Sequence, residues 1–367
     1  MTFTAKNRIS PSAGKAGPSH RQALSRRQVL AGGAALGASL AMPRIVRAAD
    51  QEIVFATWGG SWEAAMRKAW FDPFQEKTGI AVKTISGNTY GKIEAMVKAG
   101  RTEWDVVETL PDFQWIGAEK GLLAPIDFKV VDKSAIMPGQ DMVTDYSVPQ
   151  VLFAEVLTYN TKLNPAPQGW VDLYDVSKFP GMRAFDGADV QAIMESALLA
   201  DGVPPDTLYP LDIDRALKKL STIRDQLQFF QTNAQGEQYL SDGQCIMGML
   251  PDGRAINIRD NGAAVAIQYN ATIMTWSTMV IPKGAPHLEA AQKFLAYALT
   301  PEAQAAIAMA YTYGPVVPKA LELIPASRAN ILSGGPEMKG KAVLRGEKWW
   351  SENLATTNEK FNTWKLG

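Results

Sequence analysis

Hydrophobic and polar positions change period repeatedly after the first fifty residues, and each change marks an element. Residues 52–58 (EIVFATW) read as a short buried strand, and residues 61–77 carry the apolar spacing of one helix face. Ser61 is placed to cap that helix and Gly79 to close it, while Pro73 should kink or break it. Further strands are predicted at 80–85 and 105–109, with helices at 90–98 and 111–120. This βαβαβα series implies a parallel sheet covered by helices on both faces.

From residue 146 to 160 the pattern becomes one long extended run, YSVPQVLFAEVLTYN, suited to leaving one domain and entering another. The alternation then restarts. Strands are predicted at 182–185, 226–230, 245–250 and 265–268, and helices at 190–200, 212–224, 237–241 and 253–260. A second extended run at 275–281 (TWSTMVI) precedes helices at 287–299 and 301–310 and a tail with Trp349 and Trp350. Two α/β lobes joined by two extended crossings describe a hinged clamshell. Its ligand would lie where strand ends and helix N-termini of both lobes converge. The expected division is 49–155 with 280–320 for the first lobe and 156–279 with 321–367 for the second.

The opening segment lacks this patterning. Paired arginines (Arg26, Arg27), an Ala/Gly-rich apolar stretch and the Val46-Arg47-Ala48 site form an export signal over residues 1–48. It resembles a twin-arginine signal, with Val29 where the pattern usually has Phe, and cleavage is expected after Ala48. The apolar stretch is too short and glycine-rich to span a bilayer of about 30 Å.

Composition sharpens the picture. The whole chain balances 37 basic against 37 acidic residues, but the leader holds eight of the basic ones and no acid. The mature chain therefore has 29 basic and 37 acidic residues, a net −8, which argues against nucleic-acid or polybasic membrane contacts. The single cysteine, Cys245, lies in an apolar run and should be buried. His20 leaves with the leader, so His287 alone remains, at an apparent helix start where a solvated place is expected. A Ser-His-Asp triad and a His-rich zinc site are thus nearly excluded, and no phosphate-loop, dinucleotide, zincin or calcium-loop motif is present. This inventory favours binding without chemistry. No cofactor or metal is expected.

Several stretches in order, EIVFATWGGSW, FDPFQEKTGIAVK, WDVVE, DYSVPQVLFAEVLTYN, GQCIMGMLPDGRA, WSTMVIPKGAP and RGEKWW, resemble the periplasmic solute-binding proteins of ABC transporters. The likeness is to the spermidine/putrescine-binding group and spans nearly the whole mature chain. It implies a type II, two-lobe clamshell hinged by two crossover strands, a small-molecule solute, an inner-membrane ABC permease as partner, and a periplasmic monomer. It also implies cleft positions: Trp58, Thr109, Trp276 and Trp349, and an acidic pair at Asp186 and Asp189; the Gly59-Gly60-Ser61 turn itself would present free backbone N–H groups to an anionic end. The sequence departs from the group where an acid would follow the second-crossing tryptophan, because Ser277 and Thr278 stand there. It departs again at Pro251-Asp252-Gly253-Arg254, which brings in a cation.

A diammonium ligand needs carboxylates at both ends. Arg254 instead suits a ligand with one negative end, gripped as a carboxylate, while Trp58 or Trp276 covers an ammonium or an apolar stem. Asp252 and Arg254 are expected to open a second-lobe helix facing WGGSW. Two alternatives stand beside this reading: ferric-ion capture through Tyr311 and Tyr313, and an exported hydrolase or lyase using carboxylates.

Overall fold

The computed structural model describes residues 52–137, 141–335, 338 and 340–367; the segment read as an export signal and its expected cleavage site lie outside them. Nine strands are present among the described residues: β1 (Glu52–Thr57), β2 (Ala81–Ser86), β3 (Val106–Thr109), β4 (Ser147–Asn160), β5 (Arg183–Asp186), β6 (Leu227–Phe230), β7 (Met247–Pro251), β8 (Val265–Val280) and β9 (Ala342–Leu344). The helices before the first long strand are α1 (Gly60–Met66), α2 (Asp72–Thr78), α3 (Tyr90–Lys98) and α4 (Asp112–Glu119). Between the two long strands lie α5 (Trp170–Leu173), α6 (Val190–Ala200), α7 (Ile213–Ser221), α8 (Asn233–Ser241) and α9 (Asp252–Asp260). After them come α10 (Leu288–Ala298), α11 (Pro301–Ala310), α12 (Ala326–Ala329) and α13 (Glu347–Leu366).

The strand order is β2-β1-β3-β8-β4-β7-β5-β6, with β9 beside β8. In the first lobe β1 pairs in parallel with β2 and β3, as the βαβ pattern implies. In the second lobe β5 pairs in parallel with β6 and β7. The antiparallel β4 and β8 are the two crossings: β3 pairs with one end of β8 (278–280), and β7 pairs with the far half of β4 (155–159). One correction follows. The reading of two alternating lobes makes no provision for a shared sheet, yet Ile53 and Met247 belong to one hydrogen-bonded sheet, because the crossings pair with each other on both sides of a stretch at 269–272 that does not pair with β4. Each lobe nevertheless packs its own core. One gathers Phe55, Trp62, Trp70, Phe74 and Phe294; the other gathers Trp170, Phe185, Ile193, Leu198, Trp350 and Phe361.

Two local expectations change. Pro73 does not break the first helix: a π turn over Arg67–Phe71 links α1 to α2, which places Pro73 at the start of α2, where its missing N–H costs little. Gly79 ends α2 in the left-handed conformation, as expected. The segments 265–268 and 275–281 are parts of a single strand, β8, interrupted by a register shift against β4 near Glu155. Cys245 is buried. His287 is tied down rather than merely solvated, its backbone N–H and Nδ1 both lying against the buried Asp105 carboxylate. No helix among the described residues is long and apolar enough to cross a membrane.

Candidate functional site

The first-lobe wall is built on Glu108. Parallel pairing of β1 and β3 sets their carboxyl ends side by side, and Glu108 near the end of β3 reaches the residues that follow β1. Its Oε1 accepts from Thr57 Oγ1 at 2.6 Å and from the Trp58 backbone N–H. Its Oε2 accepts from Trp62 Nε1 and Gln150 Nε2, each at 3.0 Å. Burial raises the Glu108 pKa, and these donors pull it back. The Trp58 backbone is thereby fixed by a fully enclosed carboxyl group.

The two glycines then turn the chain. Gly59 and Gly60 hold φ of 73° and 66°, the left-handed region that favours glycine. A Cβ on Gly59 would lie 2.9 Å from Ser86 Oγ, and one on Gly60 would lie 3.3 Å from Arg254 Nη1. The second contact is a close approach between the lobes. Ser61 is not the cap: Gly59 occupies that position without a side-chain bond, and Ser61 Oγ lies 2.9 Å from Tyr311 Oη and 3.5 Å from Glu237 Oε1.

Across from this turn, α9 begins directly at the end of β7. Arg254 lies in its first turn with only 2% exposure and meets Glu237 of α8 at 2.8 Å, while Nη2 reaches Gly59 O at 3.5 Å. Asp252 opens α9 as expected but turns inward. It accepts from the Ala154 and Gly253 N–H groups at 3.3 and 2.8 Å and from Ser333 Oγ at 2.5 Å, and burial pushes it up to about 7.

Between the walls lies a cavity of about 100 Å³ lined by Trp58, Trp62, Leu110, Phe153, Glu155, Asp186, Ala188, Asp189, Asn233, Pro251, Arg254, Ser277 and Tyr313. Four expected residues, Trp58, Asp186, Asp189 and Arg254, meet in it. Gly59, Gly60 and Ser61 back the Trp58 wall without lining it. Thr109, Asp252, Trp276 and Trp349 are placed elsewhere. Thr109 is buried at the end of β3 with no partner for its Oγ1; Trp276 packs into the first core with its indole N–H unpaired; Trp349 packs on Tyr209 and Trp350 in the second. Strand alternation explains the exchange at the crossing, since Ser277, not its neighbour Trp276, faces the cavity.

The acidic side of the cavity is richer than the sequence suggested. Asp186 ends β5 and accepts from the Ala188 N–H at 2.8 Å; burial, followed by the nearby Asp189 charge, pushes it up to about 7. Asp189 caps α6 by accepting from the Ala192 N–H at 3.2 Å. Behind it, Arg345 sits 3.7 Å from Asp189 Oδ2 and 3.0 Å from Glu195 Oε2. Glu155 of β4 was not anticipated as a site residue. Burial, then the Asp189 charge, holds its pKa well above the usual carboxylate range. A lone acid in an otherwise apolar strand was the available signal for it. Glu237, Asn233 and Arg345 carried no comparable signal. Of the tyrosines weighed for ferric ion, Tyr313 lines the cavity and Tyr311 bonds Ser61, and burial raises the Tyr311 phenol to about 12, away from phenolate.

A two-lobe sheet with one cavity between the lobes defines a periplasmic-binding-protein fold of type II. The chain matches the family of bacterial extracellular solute-binding proteins over residues 69–332 and belongs to it. It is 31% identical over 337 residues to the gamma-aminobutyric acid-binding protein of Pseudomonas aeruginosa, covering 89% of this chain and 94% of the relative. Among solved structures, the GABA receptor Atu4243 superposes with a TM-score of 0.78 at 35% identity, covering 86% of this chain and 98% of the other. An ABC transporter substrate-binding protein from Bradyrhizobium japonicum superposes with a TM-score of 0.79 at 38% identity, covering 86% and 99%.

Proposed function

We propose that this protein captures a small zwitterion, a short amino acid with separated amine and carboxylate ends, and delivers it to an inner-membrane ABC permease. The observation that carries this reading is a cavity lined both by Arg254 and by Glu155, Asp186 and Asp189. Arg254 would hold the carboxylate, the acids would hold the ammonium, and the Trp58, Phe153 and Tyr313 faces would cover the stem. Size supports the same class. The cavity, about 100 Å³ beside the roughly 150 Å³ that admits benzene, is of the order that holds one small organic molecule. The GABA-binding relatives agree with this chemistry.

A polyamine is the second reading, favoured by the three acids in the wall and opposed by Arg254. Calorimetric titration of 4-aminobutanoate, other short amino acids, putrescine and spermidine separates the two. The amino acid should bind, and Arg254→Ala should cost it roughly 2–5 kcal/mol. Tight putrescine or spermidine binding that survives Arg254→Ala would sink the zwitterion reading.

The protein acts by binding rather than by catalysis, as a periplasmic monomer. It leaves the cytoplasm by the twin-arginine route, on the pattern at Arg26 and Arg27, and is cut after Ala48. Replacing both arginines by lysine should strand the precursor in the cytoplasm. Unchanged periplasmic yield would assign it to the general secretory route.

A further inference from the structure

Arg254 is the only cationic residue lining the cavity among the described residues, and it is already engaged. Glu237 meets its Nη1 at 2.8 Å, with the two side chains 2% and 13% exposed, so the pair is held largely away from water. Ser61 Oγ, from the opposite lobe, lies 3.5 Å from the same Glu237 oxygen and helps to fix it. Nη2 reaches only the Gly59 carbonyl, at 3.5 Å, and Nε has no hydrogen-bond partner. The cationic end of the cavity is therefore an arginine whose charge is already balanced by Glu237, with its Nε buried and without a hydrogen-bond partner. No lysine or second arginine lines the wall, and the remaining charged residues there are carboxylates.

We propose that Glu237 is a specificity-determining residue: by neutralising Arg254 it admits a ligand group with one negative charge and turns away a group with two. This rests on the amino-acid reading above and adds the charge class of the ligand's acidic end. A carboxylate set against the Arg254 guanidinium meets Glu237 as a single like charge, which that guanidinium compensates. A phosphonate, which approaches two negative charges above neutral pH much as a phosphate monoester does, brings a second charge that nothing in the wall offsets. Like charges brought together in a dry site weaken binding, which is one way that interfaces exclude wrong partners.

The test compares two probes of matched length, 4-aminobutanoate and 3-aminopropylphosphonate, by calorimetry at mildly alkaline pH. Wild-type protein should favour the carboxylate by about tenfold or more. Glu237→Gln, which keeps a hydrogen bond to Arg254 and removes the charge, should strengthen phosphonate binding and shrink that preference by a similar factor. Glu237→Asp keeps the charge and should keep the preference, which separates charge from packing. If Glu237→Gln moves both affinities together and leaves their ratio unchanged, Glu237 is structural only and the proposal is overturned. Wild-type protein that binds neither probe overturns the amino-acid reading and this proposal with it, whereas an unchanged ratio overturns this proposal alone.

Discussion

Asp186 shows how burial can make one residue report on the ligand. Its carboxyl is pushed up to about 7 by burial and then by the neighbouring Asp189 charge, with Arg254 pulling the other way. In the empty protein the folded state therefore holds a proton that the unfolded chain has lost. Its contribution to stability is fully present below the unfolded value of about 4 and is lost as pH rises from there through about 7. An ammonium set against Asp186 reverses that preference, so binding an amine should expel the proton. Affinity should then fall by up to about tenfold for each pH unit below about 7, and level off above. Titration calorimetry in two buffers of different ionisation heat checks this: the wild-type heat should depend on the buffer, and Asp186→Asn should remove most of that dependence. A wild-type heat independent of buffer would mean that Asp186 stays protonated and takes no charge from the ligand. Asp252 has a similar elevated pKa but lines no part of the cavity, so it should affect stability with pH and not affinity.

At the scale of elements, the sequence was most readable where punctuation and period agreed. The first βαβ series is bounded by Gly59-Gly60 and Gly79, and Thr89 caps α3 from just before its first residue. The fourteen-residue β4 could be recognised as a crossing because its burial is nearly unbroken. Its partner β8 was harder to read. Its paired ends match the two predicted segments, but between them Ala271 takes a positive φ of 53° and its carbonyl accepts from Trp170 Nε1 at 2.7 Å. A contact with a residue about a hundred positions away leaves no local trace. Pro73 misled for a related reason, since nothing in sequence marks a π turn that shifts the helix register ahead of it. The site divides in the same way. Trp58, Asp186, Asp189 and Arg254 each close or follow a strand and could be placed, whereas Glu237 and Arg345 gain their roles from partners that only the folded chain supplies. With 37 acids in the chain, spacing alone could not show which of them converge.

At the scale of the whole molecule, the question is what holds the lobes against each other. We propose lobe boundaries near those of the two cores, with the crossings β4 and β8 as the hinge. Across the cleft, the polar contacts from Arg254 to Gly59 and from Glu237 to Ser61 are both 3.5 Å long. Away from the cavity, α13 packs against α4, and Lys348 Nζ stands 5.6 Å from the centre of the Trp115 ring. An exposed cation–π contact of this kind contributes about 0.5–1 kcal/mol. These contacts favour the closed form, and ligand binding should shift the population further towards it. Lys348→Ala removes a closing contact without touching the cavity. Apparent affinity scales with the closed fraction, so every ligand should bind more weakly, by up to about fivefold, with their ranking unchanged. Small-angle scattering should then show a larger radius of gyration for ligand-free Lys348→Ala than for ligand-free wild type, and the same value for both once saturated. A change in ligand ranking, or unchanged scattering alongside unchanged affinity, would remove Lys348 from the closing mechanism. The contrast with Glu237→Gln is the sharper check: a latch residue should scale all affinities together, whereas a residue that sets charge selectivity should change their ratio.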